Sequence, residues 1–307
     1  MLMAADAPPR STSLAVLIPF GIVTLIWGST WIVITGQLGI VPPTWSVCYR
    51  FLVAGLAMLA FALWRRERFA FDARGWGFVL AIGLTQFCLN FNFVYRAEAH
   101  ITSGLVAVMF ALLLVPNAIL SRIFLGLRMG RQLAIGSAIA CAGVALLFVH
   151  EAGTGAVRAD ALAAGIGFTL LAVMSASVAN VLKATDTARA YPMYAALAVA
   201  MLIGAAFNAG YAWLTSGPPV FDPRPIYWLG VLHLGILASA VAFPLYFGVL
   251  RTIGPTKAAY SGVLVPVIAM LISTVFEDYR WSLLAAAGAA LAMAGLVTAL
   301  RARRPNR

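Results

Sequence analysis

Apolar residues run along this chain in long blocks instead of the short alternating or amphipathic patterns of a soluble protein. About ten blocks, each near 20 residues long, contain almost no charged side chain. A helix of about 20 apolar residues crosses a bilayer core of about 30 Å. The pattern therefore predicts ten transmembrane helices, at 14–35, 44–64, 75–95, 101–121, 132–149, 161–182, 191–214, 226–250, 258–276 and 281–300.

The overall composition supports this interpretation. Hydrophobic residues make up 63% of the chain and charged residues 10%, against about 45–50% and about 25% in soluble proteins. A soluble fold cannot bury that much apolar surface, because even a large domain must expose its exterior to water. The sequence therefore predicts an all-α membrane protein surrounded by the lipid bilayer, with connections too short to form a soluble domain.

The basic residues are distributed unequally between the two sides of the predicted bundle. If alternate connections are assigned to alternate sides, sixteen Arg and Lys residues lie on the side of the N-terminus and four on the other. Cytoplasmic loops of membrane proteins carry such an excess of Arg and Lys, so we expect both termini in the cytoplasm. We expect the protein itself to lie in the inner membrane of the cell. Since the net charge of +11 arises from these loop residues, we expect no nucleic-acid partner.

The two halves of the chain resemble each other. The segment 95–116 is similar to 246–266, and Gly104, Phe110 and Pro116 recur as Gly254, Tyr260 and Pro266 at an offset of 150. Farther along, Phe124, Gly136 and Gly143 recur as Phe276, Gly288 and Gly295 at an offset of 152. The sequence thus predicts two repeats, 14–149 and 161–300, of five helices each. Because five is odd, the second repeat enters the membrane inverted, which is typical of alternating-access transporters.

Short motifs in both halves resemble the EamA family of the drug/metabolite transporter superfamily. The matching pieces are Trp27-Gly28-Ser29-Thr30, Pro42-Pro43, Tyr49-Arg50-Phe51-Leu52, Phe124-Leu125-Gly126, Gly136 and Ala142-Gly143-Val144. The resemblance covers nearly the whole chain and implies a ten-helix, two-repeat transporter, usually an exporter of amino acids or other small metabolites. The chain departs from the family at Gly126-Leu127-Arg128, where many members carry Gly-Glu.

Acidic residues and catalytic motifs are missing from the predicted helices. All ten Asp and Glu residues fall at the ends of the predicted helices or in the connections, whereas proton-driven exporters of lipophilic cations commonly use a buried carboxylate. The sequence also lacks HExxH, GxSxG and phosphate-loop motifs. We therefore expect neither an enzyme nor a cofactor or metal site.

Two ionisable side chains do lie within predicted helices. Arg50 lies about 10 Å below the outer start of its helix at 1.5 Å per residue, a depth that is costly for an unpaired charge. It either snorkels or bonds to backbone carbonyls, or it contacts a substrate carboxylate or a gate. His233 lies at a similar depth and could carry a proton, although a hydrogen-bonded structural histidine also fits the pattern.

Neutral polar and aromatic residues are the remaining candidates for a substrate site. Gln86 and Asn90 are four residues apart and share a helical face, and Asn180 and Tyr260 lie in the second half. Such amides either form hydrogen bonds between helices or line a cavity for zwitterions and uncharged metabolites. Trp27 and Trp31 share one mid-helix face, where lining a cavity is at least as good an interpretation as a membrane-surface belt.

These observations predict a transporter of a small-molecule substrate, specifically an exporter of amino-acid-like metabolites working by alternating access. The predicted substrate-binding residues are Trp27, Trp31, Arg50, Gln86, Asn90, Asn180, His233 and Tyr260. Two alternatives stay open at this point. One is a proton-coupled exporter of cationic or aromatic drugs, and the other is a membrane scaffold without transport activity.

Overall fold

The computed structural model describes residues 14–126, 130–154, 157–253 and 261–301, apart from the side chains of 247 and 250–253. Within these ranges the chain is helical and contains no strand. Over the described residues, nine helices long enough to span a membrane and one shorter apolar helix run through one bundle, and a short helix, Asp186–Arg189, lies in one connection.

The helices are numbered α1 to α10 along the chain. They are α1 Leu14–Thr35, α2 Pro43–Trp64, α3 Ala73–Glu98, α4 Ser103–Leu125, α5 Arg131–Thr154, α6 Ala159–Lys183, α7 Met193–Ser216, α8 Pro225–Leu232 continued by His233–Val241 and Ala242–Ile253, α9 Ser261–Phe276 and α10 Leu283–Leu300. Apart from α9, all are long and apolar enough to cross a bilayer, and α9 is a shorter apolar helix over its described residues.

Several helix ends follow directly from the sequence. Proline needs no N–H partner in the first turn of a helix, and Pro43 begins α2 directly after Pro42. The Asp72 carboxylate caps α3 by accepting a hydrogen bond from Gly75 N at 2.8 Å. The Tyr191 hydroxyl also donates to Asp72, and this bond lowers the pKa of the carboxyl below its usual value. Gly126 ends α4 at φ 66°, in the left-handed region that favours glycine.

The packing of the helices repeats about a two-fold axis. Helix α2 packs against α7, α5 against α10, and α4 against α9, so that each of these helices meets its counterpart in the other repeat. The contacts of α1 with α8 and α9 recur as contacts of α6 with α3 and α4. This pattern is the one expected of two inverted five-helix repeats, and the predicted fold class is confirmed.

A local distortion of the helix also recurs in both repeats. Gly83–Asn90 in α3 and His233–Val241 in α8 are π-helical, and their first residues are 150 positions apart. A π-helical segment inserts an extra residue into a helix and is frequent at functional sites. In this structure, both segments lie beside the space between the repeats, which the next section describes.

The two ends of the bundle are named here for use below. The basic end contains the connections 65–72 and 184–192, on the side that carries the excess of Arg and Lys. The opposite end contains the connections 36–42, 99–102 and 277–282.

Candidate functional site

A cavity of about 680 Å³ lies between the repeats and is lined by α1, α2, α3 and α4 together with α6, α8 and α9. The structure brings six of the predicted site residues together in its wall: Trp27, Trp31, Arg50, Gln86, Asn90 and Asn180. Its volume falls within the range of about 300–1,000 Å³ that is usual for small-molecule sites. A role of these six side chains in substrate binding stays a prediction.

Arg50 is the charged residue in the deep part of the cavity. It is only 4% exposed, and its Cζ lies 4.2 Å from the centroid of the Phe91 ring and 5.2 Å from that of Phe51. Its Nε and Nη1 atoms have no hydrogen-bond partner, although the guanidinium also interacts with Tyr95 through a side-chain hydrogen bond and with Glu98 electrostatically. Buried donors without partners are costly, so this guanidinium can gain by meeting a negatively charged group.

Aromatic rings form much of the remaining wall. The Trp27 ring lies 5.8 Å from Phe243 and 5.0 Å from Tyr246, and its Nε1 donates to Ala238 O at 3.1 Å. These contacts hold the Trp27 side chain of α1 against α8. The Trp31 ring lies 5.1 Å from Phe110, and its buried Nε1 has no hydrogen-bond partner. The wall therefore offers flat apolar surfaces together with an unused donor.

The amides lie on both sides of the cavity. Gln86 accepts a hydrogen bond from Lys183 at 3.2 Å, and Asn180 donates to Asn117 at 3.5 Å. Asn90 is 3% exposed, and its Oδ1 has no hydrogen-bond partner. Gln86 and Asn90 were expected to share an α-helical face. They lie in the π-helical segment instead, where four residues make less than a full turn, and they nevertheless both line the cavity.

The two other predicted site residues do not line the cavity as described. His233 is half-buried at the first residue of the π-helical segment of α8, and its Nε2 lies 3.4 Å from Ser29 Oγ. It therefore contacts Ser29 on α1, and neither residue lines the cavity. Tyr260 lies outside the described residues.

The cavity reaches the basic end of the bundle. Its wall there includes Lys183 and Ala184, where α6 ends. Lys183 also borders a second cavity of about 560 Å³, which is lined by Glu67, Arg189 and Tyr191 among others. The substrate-sized space is therefore approached from the basic end, past a lysine at its mouth.

The opposite end is closed by hydrogen bonds between the repeats. The Thr35 hydroxyl lies 3.0 Å from Glu98 Oε2 and 3.4 Å from Glu277 Oε1. Ser103 and Ser273 also donate to the Glu277 carboxylate. These five residues, Thr35, Glu98, Ser103, Ser273 and Glu277, are called the acidic latch below. Their hydrogen bonds join α1, α3 and α4 to α9 and to the residue that follows it.

The acidic latch contains a buried carboxylate. Carboxylates were expected only at helix ends and in connections, and Glu98 is the last residue of α3, but it is 6% exposed and bonded to Thr35. The predicted helix stopped at residue 95, because Arg96 follows. In the structure Arg96 points outward to the Tyr211 hydroxyl at 3.0 Å. A helix can thus continue past a charged residue that remains exposed, and its next turn carries Glu98 inward.

Three site residues were not predicted from the sequence. Asn117 and Lys183 line the cavity, and Glu98 interacts electrostatically with Arg50. Lys183 was counted among the basic residues of the connections, although its position three residues after Asn180 was a usable signal for a shared helical face. Over the described ranges, no group of three or more His, Cys, Asp or Glu side chains comes together.

Comparison with known proteins agrees with this architecture. The chain is 23% identical to Protein PagO of Salmonella typhimurium over 271 residues, covering 88% of this chain and 86% of PagO. It is 29% identical over 257 residues to the uncharacterized inner membrane transporter YedA of Escherichia coli strain K12, covering 81% and 79%. A crystal structure with 26% sequence identity superimposes with a TM-score of 0.64, covering 93% of this chain and 96% of the other.

The sequence model of one family matches both halves. It is the EamA-like transporter family, and the match covers residues 15–149 and again 163–301. Together these two stretches include most of the chain, the paired π-helical segments and the wall of the cavity. The chain therefore belongs to the EamA-like transporter family.

Proposed function

We propose that this membrane transporter exports small amino-acid-like metabolites from the cytoplasm by alternating access. The observation that carries the proposal is Arg50, a buried guanidinium with two unpaired nitrogen atoms in the cavity wall. A carboxylate matches the fork of donors on an arginine better than a neutral group does. In the same wall, the unpaired Oδ1 of Asn90 can accept a hydrogen bond from an ammonium group.

The aromatic rings complete a site for an amphipathic zwitterion. Trp27, Trp31 and Phe110 can cover the apolar part of such a molecule, while Arg50 and Asn90 bind its charged groups. The net charge of a zwitterion is zero, so its export does no net work against the membrane potential, which would be about 2.3 kcal/mol per charge at 100 mV.

The orientation of the bundle supports the proposed direction of transport. The excess of basic residues supports cytoplasmic termini, and the similar protein YedA is named an inner membrane transporter. With the basic end in the cytoplasm, the cavity opens to the cytoplasm and is closed toward the periplasm by the acidic latch. This is the conformation in which an exporter loads its substrate.

The two alternative functions, a scaffold without transport activity and an exporter of cationic or aromatic drugs, have less support. Membership of a transporter family favours transport over a scaffold without transport activity. A proton-coupled exporter of cationic or aromatic drugs gains support from the aromatic wall and from the buried Glu98. However, Arg50 places a positive charge in the wall of the cavity, which repels a cation, and Glu98 does not line that wall.

The test is flux measured in proteoliposomes with a panel of labelled amino acids, followed by comparison of the best substrate with its carboxamide. Arg50→Gln should raise the concentration needed for half-maximal flux of the acid by about 10- to 100-fold. This corresponds to about 1.5–3 kcal/mol for a hydrogen bond to a charged group. The carboxamide, which has no carboxylate, should change little.

Arg96→Gln is the matched control, because Arg96 is an exposed arginine on a neighbouring stretch of the same bundle and contacts Tyr211. It should transport the acid like the wild type. If Arg50→Gln affects the acid and the carboxamide equally, Arg50 does not recognise a carboxylate and the proposed substrate class is wrong.

The amides provide a second matched comparison. Asn90 lines the cavity, whereas Asn92 does not line it, and its amide nitrogen donates to Cys88 O at 2.9 Å and to Asn208 Oδ1 at 2.5 Å between α3 and α7. Asn90→Ala, and likewise Gln86→Ala, should reduce flux while the yield of folded protein stays nearly constant. Asn92→Ala should reduce the yield and the flux together. A parallel loss of yield in Asn90→Ala would indicate a structural amide.

A further inference from the structure

The two carboxylates of the acidic latch are bonded very differently. Glu277 accepts hydrogen bonds from Ser103 N at 3.1 and 3.2 Å, from Ser103 Oγ at 2.6 Å and from Ser273 Oγ at 2.5 Å. Glu98 accepts from Thr35 Oγ1 at 3.0 Å, and its other oxygen, Oε1, is buried without a partner. Glu277 therefore has the donors that an ionised carboxylate needs, and Glu98 does not.

The acidic latch has too few hydrogen-bond donors to satisfy Glu98 and Glu277 if both carboxylates are ionised. The Thr35 hydroxyl has one proton, but its oxygen lies within 3.0 Å of Glu98, 3.4 Å of Glu277 and 3.4 Å of the Trp31 carbonyl. It can donate to one of them at a time. One added proton on Glu98 resolves the conflict, because Glu98 then donates to Thr35 and Thr35 donates to Glu277.

The ionisable groups around Glu98 do not supply the missing hydrogen bond. Arg50 on α2, Tyr95 on the same helix and Glu277 after α9 are the ionisable groups that interact with it. On α6, Asp160 is paired with Arg158 at 3.1 Å. Arg50 and Glu277 act on Glu98 with opposite sign. Arg50 does not form a hydrogen bond to Glu98, whose Oε1 stays unpaired.

We propose that Glu98 is a proton-binding site that keeps the opposite end closed, and that loss of its proton to the compartment on that side opens the acidic latch. Two negative charges linked by one hydroxyl repel each other in a buried site, and separating α3 and α4 from α9 would expose both to water. The inference rests on the alternating access proposed above, but not on the chemical class of the substrate.

One consequence distinguishes this switch from proton-coupled transport. Glu98 is reached from the opposite end when the latch opens, whereas the closed latch separates it from the cavity mouth at the basic end. The proton is therefore bound and released on the same side and is not carried across the membrane. The pH of the opposite compartment should control opening, and the pH at the basic end should not.

The latch can be tested without any substrate, by measuring the distance between two spin labels across the opposite end. Ile40 and Arg280 are exposed in the connections after α1 and after α9, so Ile40→Cys and Arg280→Cys provide the labelling sites. The Cys141→Ala background removes the exposed native cysteine, and Cys48 and Cys88 are buried. The full-length protein would be studied in lipid nanodiscs between about pH 5 and about pH 9, a range that covers raised carboxyl pKa values.

In the otherwise wild-type protein, the short distance should dominate at low pH and a longer distance should gain population as the pH rises. Glu98→Gln cannot lose a proton, and its amide still donates to Thr35, so it should keep the short distance at every pH. Glu151→Gln is the matched control. Glu151 is also 6% exposed and lies at the same end, but outside the latch, so this variant should respond to pH like the wild type.

The proposal is overturned if the distance in the wild type does not depend on pH, or if Glu98→Gln shifts with pH as the wild type does. If Glu98→Gln does not fold, Glu98→Asp keeps the titrating group but moves it away from Thr35, and an unchanged midpoint would then refute the proposal. Because no substrate is present, failure of the proposed substrate class leaves these distances unaffected. Conversely, a flux that depends on Arg50 with no pH-dependent distance would refute the latch alone.

Discussion

Replacing Gly143 by alanine should destabilise the protein, although alanine is the better helix-forming residue. At the contact between α5 and α10, a Cβ atom on Gly143 would lie 2.2 Å from Ala292 N, 2.6 Å from Gly288 O and 2.8 Å from Ala292 Cα. All three are backbone atoms, so no side chain can rotate away. Gly153 is the matched control, because it lies on the same helix and a Cβ there would meet nothing within 4 Å.

The expected loss of stability follows from how far α5 and α10 must move apart to accommodate the added Cβ atom. Ordinary contacts of a Cβ atom begin at 3.4 Å, so the two helices would have to separate locally by about 1 Å at Gly143. Overpacking of this kind typically costs about 1–3 kcal/mol, while exchanging glycine for alanine within a helix gains roughly 0.5–1 kcal/mol. The net effect of Gly143→Ala should be a loss of about 0.5–2 kcal/mol, whereas Gly153→Ala should be neutral or slightly stabilising.

The assay is thermal unfolding of purified protein in one detergent, with Gly143→Ala, Gly153→Ala and the double variant compared with the wild type. The apparent Tm should fall in the first variant, stay or rise in the second, and fall in the double variant by nearly the sum. If Gly143→Ala unfolds at the same temperature as Gly153→Ala, the helices are not in the close contact described.

Three further predictions concern orientation, energy coupling and pH. Reporter fusions after Arg68 should lie in the cytoplasm and those after Arg224 in the periplasm, and the reverse result would refute the proposed orientation. His233→Gln should leave any pH-dependent uphill transport unchanged, because His233 does not line the cavity; loss of that transport would assign it the proton. The pKa of Asp72 is lowered mainly by the Tyr191 hydrogen bond, so this carboxylate stabilises the folded state above its unfolded pKa of about 3.9. That contribution should disappear as the pH falls through the lowered folded value, and thermal unfolding of Asp72→Asn should lack this part of the pH dependence.

The number and type of the helices could be predicted because a bilayer permits few solutions. Backbone groups in lipid must be bonded within the chain, so a block of about 20 apolar residues becomes a helix whatever its details. The bounds were less accurate where charged residues lie on the exposed side of a helix. Arg96 ended the predicted third helix at residue 95, but α3 continues to Glu98 because Arg96 faces outward to Tyr211.

The cavity could be predicted only as far as residue type and helical spacing allow. Trp27, Trp31, Arg50 and Asn90 stood out as polar or bulky residues in mid-helix, and all four line the cavity. The π-helical segments left no clear mark in the sequence, and they change which residues share a face of α3 and α8. Partners such as Asn117 for Asn180 depend on how α4 packs against α6, which no local pattern contains.

The most informative features of this fold are its departures from symmetry. In the register that pairs Tyr95 with Tyr246, Glu98 corresponds to Val249, and in the register that pairs Phe124 with Phe276, Glu277 corresponds to Leu125. The two carboxylates of the acidic latch at the opposite end therefore have apolar residues as their counterparts at the basic end. Two inverted repeats alone would close both ends in the same way.

Such an asymmetry makes the two closures differ in their energetics. At the positions that correspond to the two carboxylates, the basic end offers only apolar side chains, which do not titrate, whereas the opposite end closes on carboxylates that need a proton or a donor. Arg50, which corresponds to Ala200 at an offset of 150, adds a charge to only one side of the cavity. The two repeats thus supply the alternating movement. A few charged residues that have no charged counterpart in the other repeat determine which end responds to pH.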